Sequence, residues 1–329
     1  MSTPRQPGAS RPSWWGPVAA AVALAVVAGL AWWGLRPRAG EPSAASTTVV
    51  TVSPSPTTTA GPTPTPSVPS TTPSATSVPP TTSQALPVFY AGPELRQAGA
   101  ERWVLAREFV RVDVPAGVDA SALATAAVGL ALRGAPDPNP NGYAGAWPAG
   151  TTATVRVEPG AIEVTISAAG SPALSPERQK IAVQQLVWTA TAAAQSAGPV
   201  SISVAGGGPI FDGVPAGTFS RPPSETDYEV LSPIWVDAPA AGAVLPAGSP
   251  VVATGLACVF EGHVEWELQH EGATVKDGYT QAASGCPGRG AWKVDLGALP
   301  AGDYTLRMFT ETQDGGGLGA QHLVPFRVG

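Results

Sequence analysis

The sequence of 329 residues predicts an α+β domain followed by an all-β sandwich, behind an N-terminal transmembrane helix and a disordered linker. Three observations support this prediction. They are an uncharged apolar run near the N-terminus, a Pro/Ser/Thr-rich stretch after it, and hydrophobic periodicities that are first mixed and then only strand-like. The predicted boundaries are 1–13 for a cytoplasmic tail, 14–35 for the transmembrane helix, 36–85 for a stalk, 86–215 for the α+β domain, 216–231 for a linker and 232–329 for the sandwich.

The apolar run from residue 18 to residue 31 carries no charge, and a pair of tryptophans stands at each end of it. With these pairs it spans about 20 residues, which suffices to cross a hydrocarbon layer of about 30 Å, and the indoles fall at the two interfaces. A cleaved signal peptide is the alternative, because Arg5 and Arg11 precede the run. The run is long for a signal peptide, however, and no small-residue cleavage site follows it closely. We therefore expect a single-pass protein of the cell membrane.

The stretch from residue 43 to residue 85 consists almost entirely of Ser, Thr, Pro and Ala and has no charged residue. It offers too little apolar surface to offset the entropy of ordering, and its prolines favour the extended polyproline II conformation. At about 3.1 Å per residue its reach is on the order of 130 Å. We predict a disordered spacer whose composition also fits an O-glycosylated stalk.

The charge and the cysteines of the chain limit its possible partners and indicate its compartment. The net charge is −6 and no basic run is long enough to follow a phosphate backbone, which argues against nucleic acid as a partner. Cys258 and Cys286 are the only cysteines, and two cysteines in one domain of an anchored chain favour a disulfide bond in an oxidising compartment. Two buried free thiols are the alternative. We expect the C-terminal domains to be extracytoplasmic.

The α+β domain alternates strand-like and helix-like segments. Two extended runs come first, followed by a helix with Asp119 or Ser121 as N-cap and Gly134 at its end, a hairpin, a second helix that starts after Ser175, and a closing strand. This order predicts two helices on a mainly antiparallel sheet. On the second helix Trp188 lies nearly opposite the main apolar stripe, so the helix is either covered on two sides or offers an aromatic residue to a partner.

Three segments of this domain, "VRVEPGAIEVTIS", "LSPERQKIAVQQLVWTAT" and "VSISVAGG", resemble the GerMN domain of sporulation and spore-germination proteins. The resemblance covers roughly residues 86–208 and implies a fold without an established active site, used in envelope assembly or protein contacts. One departure is that Gly206, Gly207 and Gly208 stand where the family has an Asp-Gly pair, so no role of that acidic position is carried over.

Catalysis by this domain has little support in the sequence. Residues 86–215 contain no histidine and no cysteine, and their carboxylates are scattered over strands and turns. We predict no catalytic residue, no metal site and no cofactor. A hydrolase that pairs Glu267 with a carboxylate of the first domain is the less favoured alternative.

About seven short extended runs bounded by Gly and Pro predict an immunoglobulin-like sandwich for the C-terminal domain. Within "CVFEGHVEWELQHEG" the apolar and polar residues alternate strictly. The predicted core set is Cys258, Phe260, Val264, Trp266 and Leu268. The solvent-facing set, which together with Trp188 forms the candidate interaction surface, is Glu261, His263, Glu265 and Glu267. The spacing of His263 and Glu265 permits a metal ligand pair, but a zinc site needs three or four converging ligands, so we favour a solvated face.

The segment "VFEGHVEWEL", together with Trp292 and the Asp314-Gly315 pair, resembles the immunoglobulin-like domain of bacterial spore-germination proteins. The resemblance covers nearly all of residues 234–328 and implies a non-catalytic module that often follows a GerMN domain in anchored chains. We therefore expect a membrane-anchored structural or interaction protein whose partners are other envelope proteins. Binding of a cell-wall glycan or a small ligand is the alternative, suggested by Trp147, Trp188, Trp235 and Trp292.

Overall fold

The computed structural model of the protein describes residues 80–94, 102–311 and 317–329. The predicted cytoplasmic tail, the transmembrane helix at 14–35 and nearly all of the stalk lie outside these residues. Within the part of the chain that is described, no helix is long and apolar enough to span a membrane. We divide the described residues into a first domain, up to Leu231, and a second domain from Ser232 onward.

The first domain contains two helices and six strands. Helix α1 spans Ala120–Arg133 and α2 spans Pro176–Ala193, and the side chains of their N-caps, Asp119 and Ser175, accept hydrogen bonds from backbone N–H groups of the first turn. Asp119 is one of the two predicted candidates for the first N-cap, and Ser175 is the predicted second N-cap. The strands are β1 (Thr81–Glu94), β2 (Arg102–Pro115), β3 (Ala153–Glu158), β4 (Ala161–Ile166), β5 (Val200–Val204) and β6 (Gly217–Phe219).

The six strands form two sheets, where one mainly antiparallel sheet was predicted. Strands β1 and β2 form a long antiparallel pair, and β3, β4, β5 and β6 form a second sheet in that order. Within it β4 and β5 are parallel, because α2 connects them and a strand–helix–strand crossover returns the chain in the same direction. The two helices and both sheets enclose one core, which includes Val88, Val128, Ile162, Leu186 and Phe211.

Two segments that were predicted to lie outside the domains belong to the fold. Strand β1 begins at Thr81, inside the predicted stalk of 36–85, and Thr81 is paired with Pro115. The predicted linker, 216–231, contains β6, which pairs with β5, and ends in the fully buried Leu231. Strand pairing uses backbone hydrogen bonds, so short polar segments can join a sheet without any apolar pattern.

The second domain is a sandwich of two sheets, in agreement with the predicted immunoglobulin-like fold. One sheet has the order β11-β10-β13-β14-β8 and the other β12-β9-β7. The hydroxyl of Tyr304 donates a hydrogen bond to the carbonyl oxygen of Pro300 over 3.0 Å, a corner contact of the kind found in such sandwiches. The strands are β7 (Ile234–Ala238), β8 (Val244–Leu245), β9 (Pro250–Ala257), β10 (His263–His270), β11 (Ala273–Gln281), β12 (Gly290–Ala298), β13 (Gly302–Glu311) and β14 (Leu318–Val328).

The alternating stretch that begins at Cys258 contains a turn and then strand β10, where one continuous strand was predicted. A single 3-10 turn, Phe260–Gly262, separates β9 from β10, and Glu261 has a φ of 53°. Phe260 is 66% exposed, so its predicted place in the core is wrong. The alternation holds from His263 onward, where Val264 and Leu268 are fully buried. The turn moves the buried side chains from odd-numbered positions in β9 to even-numbered positions in β10. A prediction that assumes one uninterrupted alternation cannot detect this change.

Candidate functional site

The predicted polar residues of β10 lie on one outward face of the second domain. His263 Nε2 is 3.8 Å from Glu265 Oε1, and the His263 ring stacks on Tyr279 of β11 with centroids 5.2 Å apart. Glu267 accepts hydrogen bonds of 3.2 Å from Arg307 and from Gln269. Among the described residues no three His, Cys, Asp or Glu side chains are grouped as a metal site would require.

The turn before β10 carries the rest of this surface. Glu261 is exposed, and its carbonyl oxygen accepts a hydrogen bond from the side chain of Gln281. The structure pairs Cys258 with Cys286 in a disulfide bond, as the sequence predicts, and so ties the turn to the loop before β12. We call Phe260, Glu261, His263, Glu265 and Tyr279 the edge face, because β11 is the last strand of its sheet.

Trp188 is not part of the edge face. Its side chain is only 7% exposed and packs against Phe89 of β1, with ring centroids 5.5 Å apart. Phe89 in turn meets Trp235 of β7 edge-on at 5.7 Å. The sequence left two alternatives for this helix face, coverage on a second side or an aromatic residue offered to a partner. The structure shows coverage on a second side. The second layer comes partly from the second domain.

The two domains meet in an apolar cluster, which we call the junction cluster. Its members include Phe89, Leu105, Trp188, Leu231 and Trp235. Backbone hydrogen bonds also run through this cluster. The N–H of Leu105 donates to the carbonyl oxygen of Val230, and the N–H of Ser232 donates to the carbonyl oxygen of Leu105, each over 2.8 Å. Backbone bonds and aromatic packing together hold β2 of the first domain beside the start of the second.

A buried polar network crosses the same junction. Glu108 Oε1 accepts a hydrogen bond of 2.7 Å from the Tyr143 hydroxyl and one of 3.0 Å from His322 Nε2. His322 Nδ1 lies 3.2 Å from the carbonyl oxygen of Ile234. Both partners of the imidazole are acceptors, so both ring nitrogens donate and the ring carries a positive charge. Glu108 and His322 are separated by 214 positions in the chain and form an ion pair between the domains.

The ionisation of this network follows from its surroundings. Burial by itself lowers the pKa of His322, but the Glu108 carboxylate, its hydrogen bond and the Ile234 carbonyl outweigh burial and leave the pKa raised. Burial, followed by the charge of Glu108, raises the pKa of Tyr143 well above its ordinary value, so this hydroxyl remains a donor. The sequence offered one indication of the network. In the alternating pattern of β2, Glu108 takes a place in the series of apolar residues Val104, Ala106 and Val110.

A pocket of about 400 Å³ opens at the edge of the junction cluster, and we call it the junction pocket. Three arginines stack on its two tryptophans. The guanidinium carbons of Arg107 and Arg289 lie 4.5 and 4.2 Å from the ring centroid of Trp235, and that of Arg221 lies 4.1 Å from the ring of Trp188. These distances are those of cation–π contacts. Sequence reasoning missed the pocket because its arginines come from three distant parts of the chain.

Two of the pocket's arginines are held by side chains. Arg107 Nη2 donates to Asp237 Oδ1 across the domain boundary, and Arg221 Nε donates to Thr191 Oγ1 over 2.7 Å. Burial, with a smaller effect of Arg107, lowers the pKa of Arg221 to about 10. Arg221 therefore remains a cation at neutral pH.

The third arginine, Arg289, is held by the backbone. Its Nη1 donates to the carbonyl oxygens of Ser232 and Pro233, over 2.9 and 3.3 Å. Burial lowers the pKa of Arg289 to about 10, against the opposing charge of Asp227. Burial also raises the pKa of Asp227, although Arg289 counteracts it. The pocket thus has a positively charged, partly desolvated lining.

The comparisons with known proteins divide the chain at the same place as the fold. Residues 87–208 match the family model described as "Sporulation and spore germination". Residues 233–317 match the model described as "Immunoglobulin-like domain of bacterial spore germination". Two regions of the chain, one in each domain, thus match models of spore-germination families. Both resemblances predicted from the sequence are confirmed, in the predicted order, and neither family is a known enzyme family.

Two further comparisons were made. No curated protein matches the chain. Among solved structures, the chain is similar to one titled "Structures of Clostridium thermocellum CbhA fibronectin(III)-like modules", with 15% identity, a TM-score of 0.21, and coverage of 29% of this chain and 93% of that one.

Proposed function

We propose that the chain is a non-catalytic, membrane-anchored protein of the cell envelope whose two folded domains lie outside the cytoplasm and bind other envelope proteins. The apolar run at 14–35 supports the anchor, and the disulfide bond supports an oxidising compartment. The family matches support a relation to sporulation and germination proteins. They do not require that the chain act in a spore.

The observation that carries the binding role is the edge face. Tyr279 and Phe260 are 71% and 66% exposed, which is unusual for aromatic residues, and they stand beside the carboxylates of Glu261 and Glu265. Protein interfaces commonly have such an aromatic centre and a charged rim. The rim is acidic, so the partner that fits is a protein with a basic patch around an apolar recess.

Photo-crosslinking in intact cells tests location and partner together. A photoreactive amino acid replaces Tyr279 in the full chain, and a matched control replaces Arg156, which is exposed on β3 of the first domain. We expect discrete adducts with extracytoplasmic proteins from position 279 and not from position 156. Adducts with cytoplasmic proteins, the same adducts from both positions, or none from position 279 would contradict the proposal.

The two alternative functions lose their main supports. Trp147 and Trp292 are buried in the domain cores, and the rings of Trp188 and Trp235 are covered by arginines, so none of the four offers an open face to a sugar ring. Glu267, which the hydrolase alternative would pair with a first-domain carboxylate, is bound by Arg307 and Gln269 of its own domain. A pocket suited to a small ligand opens at the junction of the two domains.

A further inference from the structure

We propose that the junction pocket binds a small organic monoanion, with a carboxylate or a phosphate as its charged group, through Arg289 and the indole N–H groups of Trp188 and Trp235. This site is distinct from the edge face, and its ligand is independent of any protein partner there. Three features of the pocket point to such a ligand: its hydrogen-bond donors, its charges and its shape.

The first observation is a set of buried donors that have no acceptor among the described residues. They are Nε and Nη2 of Arg289, Nε of Arg107, Nε1 of Trp188 and Nε1 of Trp235. Buried polar groups in native proteins nearly always have a partner, and both tryptophan side chains are more than nine-tenths buried. Trp292 Nε1, in the core of the second domain, has no partner in the described part of the chain either, but Arg107, Trp188, Trp235 and Arg289 all line one pocket, where an acceptor oxygen entering between their side chains would satisfy these donors.

Arg289 is already oriented for this role. Its Nη1 is fixed on the carbonyl oxygens of Ser232 and Pro233, while Trp235 supports the guanidinium plane from the side. The remaining edge, Nε with Nη2, is the one that can form two parallel hydrogen bonds with a carboxylate or phosphate group. A lysine at this position would supply the charge but not the two-point geometry.

The charges of the pocket favour a single negative charge on the ligand. The cations are Arg107, Arg221 and Arg289, and the carboxylates are Asp227 and Asp237. Asp237 is engaged by Arg107, and Oδ1 of Asp227 has no hydrogen-bond partner among the described residues. Glu225 also acts on Asp227, but from an exposed position where solvent screens its charge, so the pocket lining with Asp237 keeps a surplus of one positive charge, which a monoanion neutralises. A buried charge is costly unless it is paired, so the pairing favours binding.

The shape of the pocket favours an organic body behind the charged group. Its volume of about 400 Å³ is within the range of small-molecule sites and far exceeds that of a bare inorganic ion. Phe89, Trp188, Pro222 and Trp235 contribute apolar walls to it. Because Trp188 and Arg221 come from the first domain and Trp235 and Arg289 from the second, the ligand would contact both domains.

The test is an NMR titration of the full chain labelled with ¹⁵N at the tryptophan indoles. The probes are benzoate and methyl phenyl phosphate, each a monoanion at neutral pH, with benzyl alcohol as the neutral probe of similar size. We expect saturable shifts of the Trp188 and Trp235 indole N–H resonances with at least one of the two anions. The resonances of Trp147 and Trp292, which lie in the domain cores, should not move. The anion that binds more tightly identifies the charged group as carboxylate or phosphate.

Two variants sharpen the test. R289K keeps the charge but loses the two-point geometry, and we expect it to weaken binding of the tighter probe by at least about tenfold. R327K, at an exposed site on β14, is the matched control and should leave binding unchanged. The proposal is overturned by the absence of saturable shifts in the unmodified chain at millimolar probe, by equal shifts with benzyl alcohol, or by unchanged affinity in R289K.

Discussion

The ion pair between Glu108 and His322 links the two domains through single side chains. Both residues are buried. Oε1 of Glu108 accepts hydrogen bonds from both His322 and the hydroxyl of Tyr143. A buried pair contributes little compared with a well-packed apolar pair, but removing one partner leaves the other charge buried without compensation. The pair is therefore a sensitive point of the junction.

Replacing His322 tests this directly. We expect H322A to lower the free energy of unfolding of residues 80–329 by about 3–5 kcal/mol, because the Glu108 carboxylate is left buried and unpaired. The matched control is H263A on the exposed edge face, which should change stability by less than about 0.5 kcal/mol. Urea denaturation measures both. If H322A is as mild as H263A, the pair does not hold the junction.

The same pair predicts a dependence of stability on pH. The pKa of His322 is raised in the folded protein, where Glu108, Tyr143 and Asp237 are the titratable groups that act on it or on its partner. A raised pKa means that the folded state binds the proton more tightly, so the contribution is full below about pH 6.5 and is lost as pH rises through the folded-state value. The urea midpoint of the wild type should fall over this range, and that of H322Q should fall less. Equal slopes would contradict the assignment.

Individual residues were predictable where their role is local. The N-caps Asp119 and Ser175 and the pairing of Cys258 with Cys286 depend on short patterns or on a scarce residue type. The partner of a buried charge was not predictable, because the sequence marks Glu108 as unusual but gives no indication of a histidine in the other domain.

At the scale of elements, the turn at 260–262 determines which residues of the alternating stretch are buried and which are exposed. Strand β10 keeps the predicted alternation, but the positive φ of Glu261 interrupts it and turns Phe260 outward. The predicted boundaries of the stalk and the linker were wrong for a related reason. The start of β1 is polar and β6 has only three residues, and both join their sheets through backbone hydrogen bonds. Period and composition identify apolar strands well and polar edge segments poorly.

The disulfide bond gives the first prediction at this scale. It joins residues 28 positions apart, and closing a loop of that size stabilises the folded state by about 3.5 kcal/mol in the chain-entropy model. We expect the double variant C258A/C286A to lose about this much free energy of unfolding while the fold is retained. The control is the wild type in a reducing agent, which should show a similar loss. An unchanged urea midpoint in both would contradict a structural role.

Two glycines give a matched pair of opposite predictions. A Cβ at Gly255 of β9 would meet the carbonyl oxygen of Trp235 and the ring of Trp292, whereas one at Gly129 of α1 would meet nothing within 4 Å. We expect G255A to destabilise the protein by about 1–3 kcal/mol through overpacking. G129A should stabilise it by about 0.5–1 kcal/mol, because alanine favours a helix interior. Thermal unfolding compares the two, and a shift of the same sign in both would refute the packing of β7 on β9.

At the scale of the whole molecule, the order and types of the two domains were predictable and their mutual packing was not. Periodicity and the two family resemblances gave the domains, because each has its own core. The junction draws on positions 89, 105, 107, 188, 221, 231, 235, 289 and 322, which no local pattern connects. Trp188, out of phase on α2, was the one indication that a second layer exists.

The junction makes the two domains a single unit. Backbone hydrogen bonds, the junction cluster and the Glu108–His322 pair all join them, and both domains belong to one compact unit. Domains joined through such contacts should unfold together.

Scanning calorimetry of residues 80–329 tests this claim most directly. We predict one transition whose calorimetric and van't Hoff enthalpies agree, and a lower melting temperature for the isolated second domain, 232–329, than for the pair. Two separate transitions, one of them at the melting temperature of the isolated second domain, would contradict it.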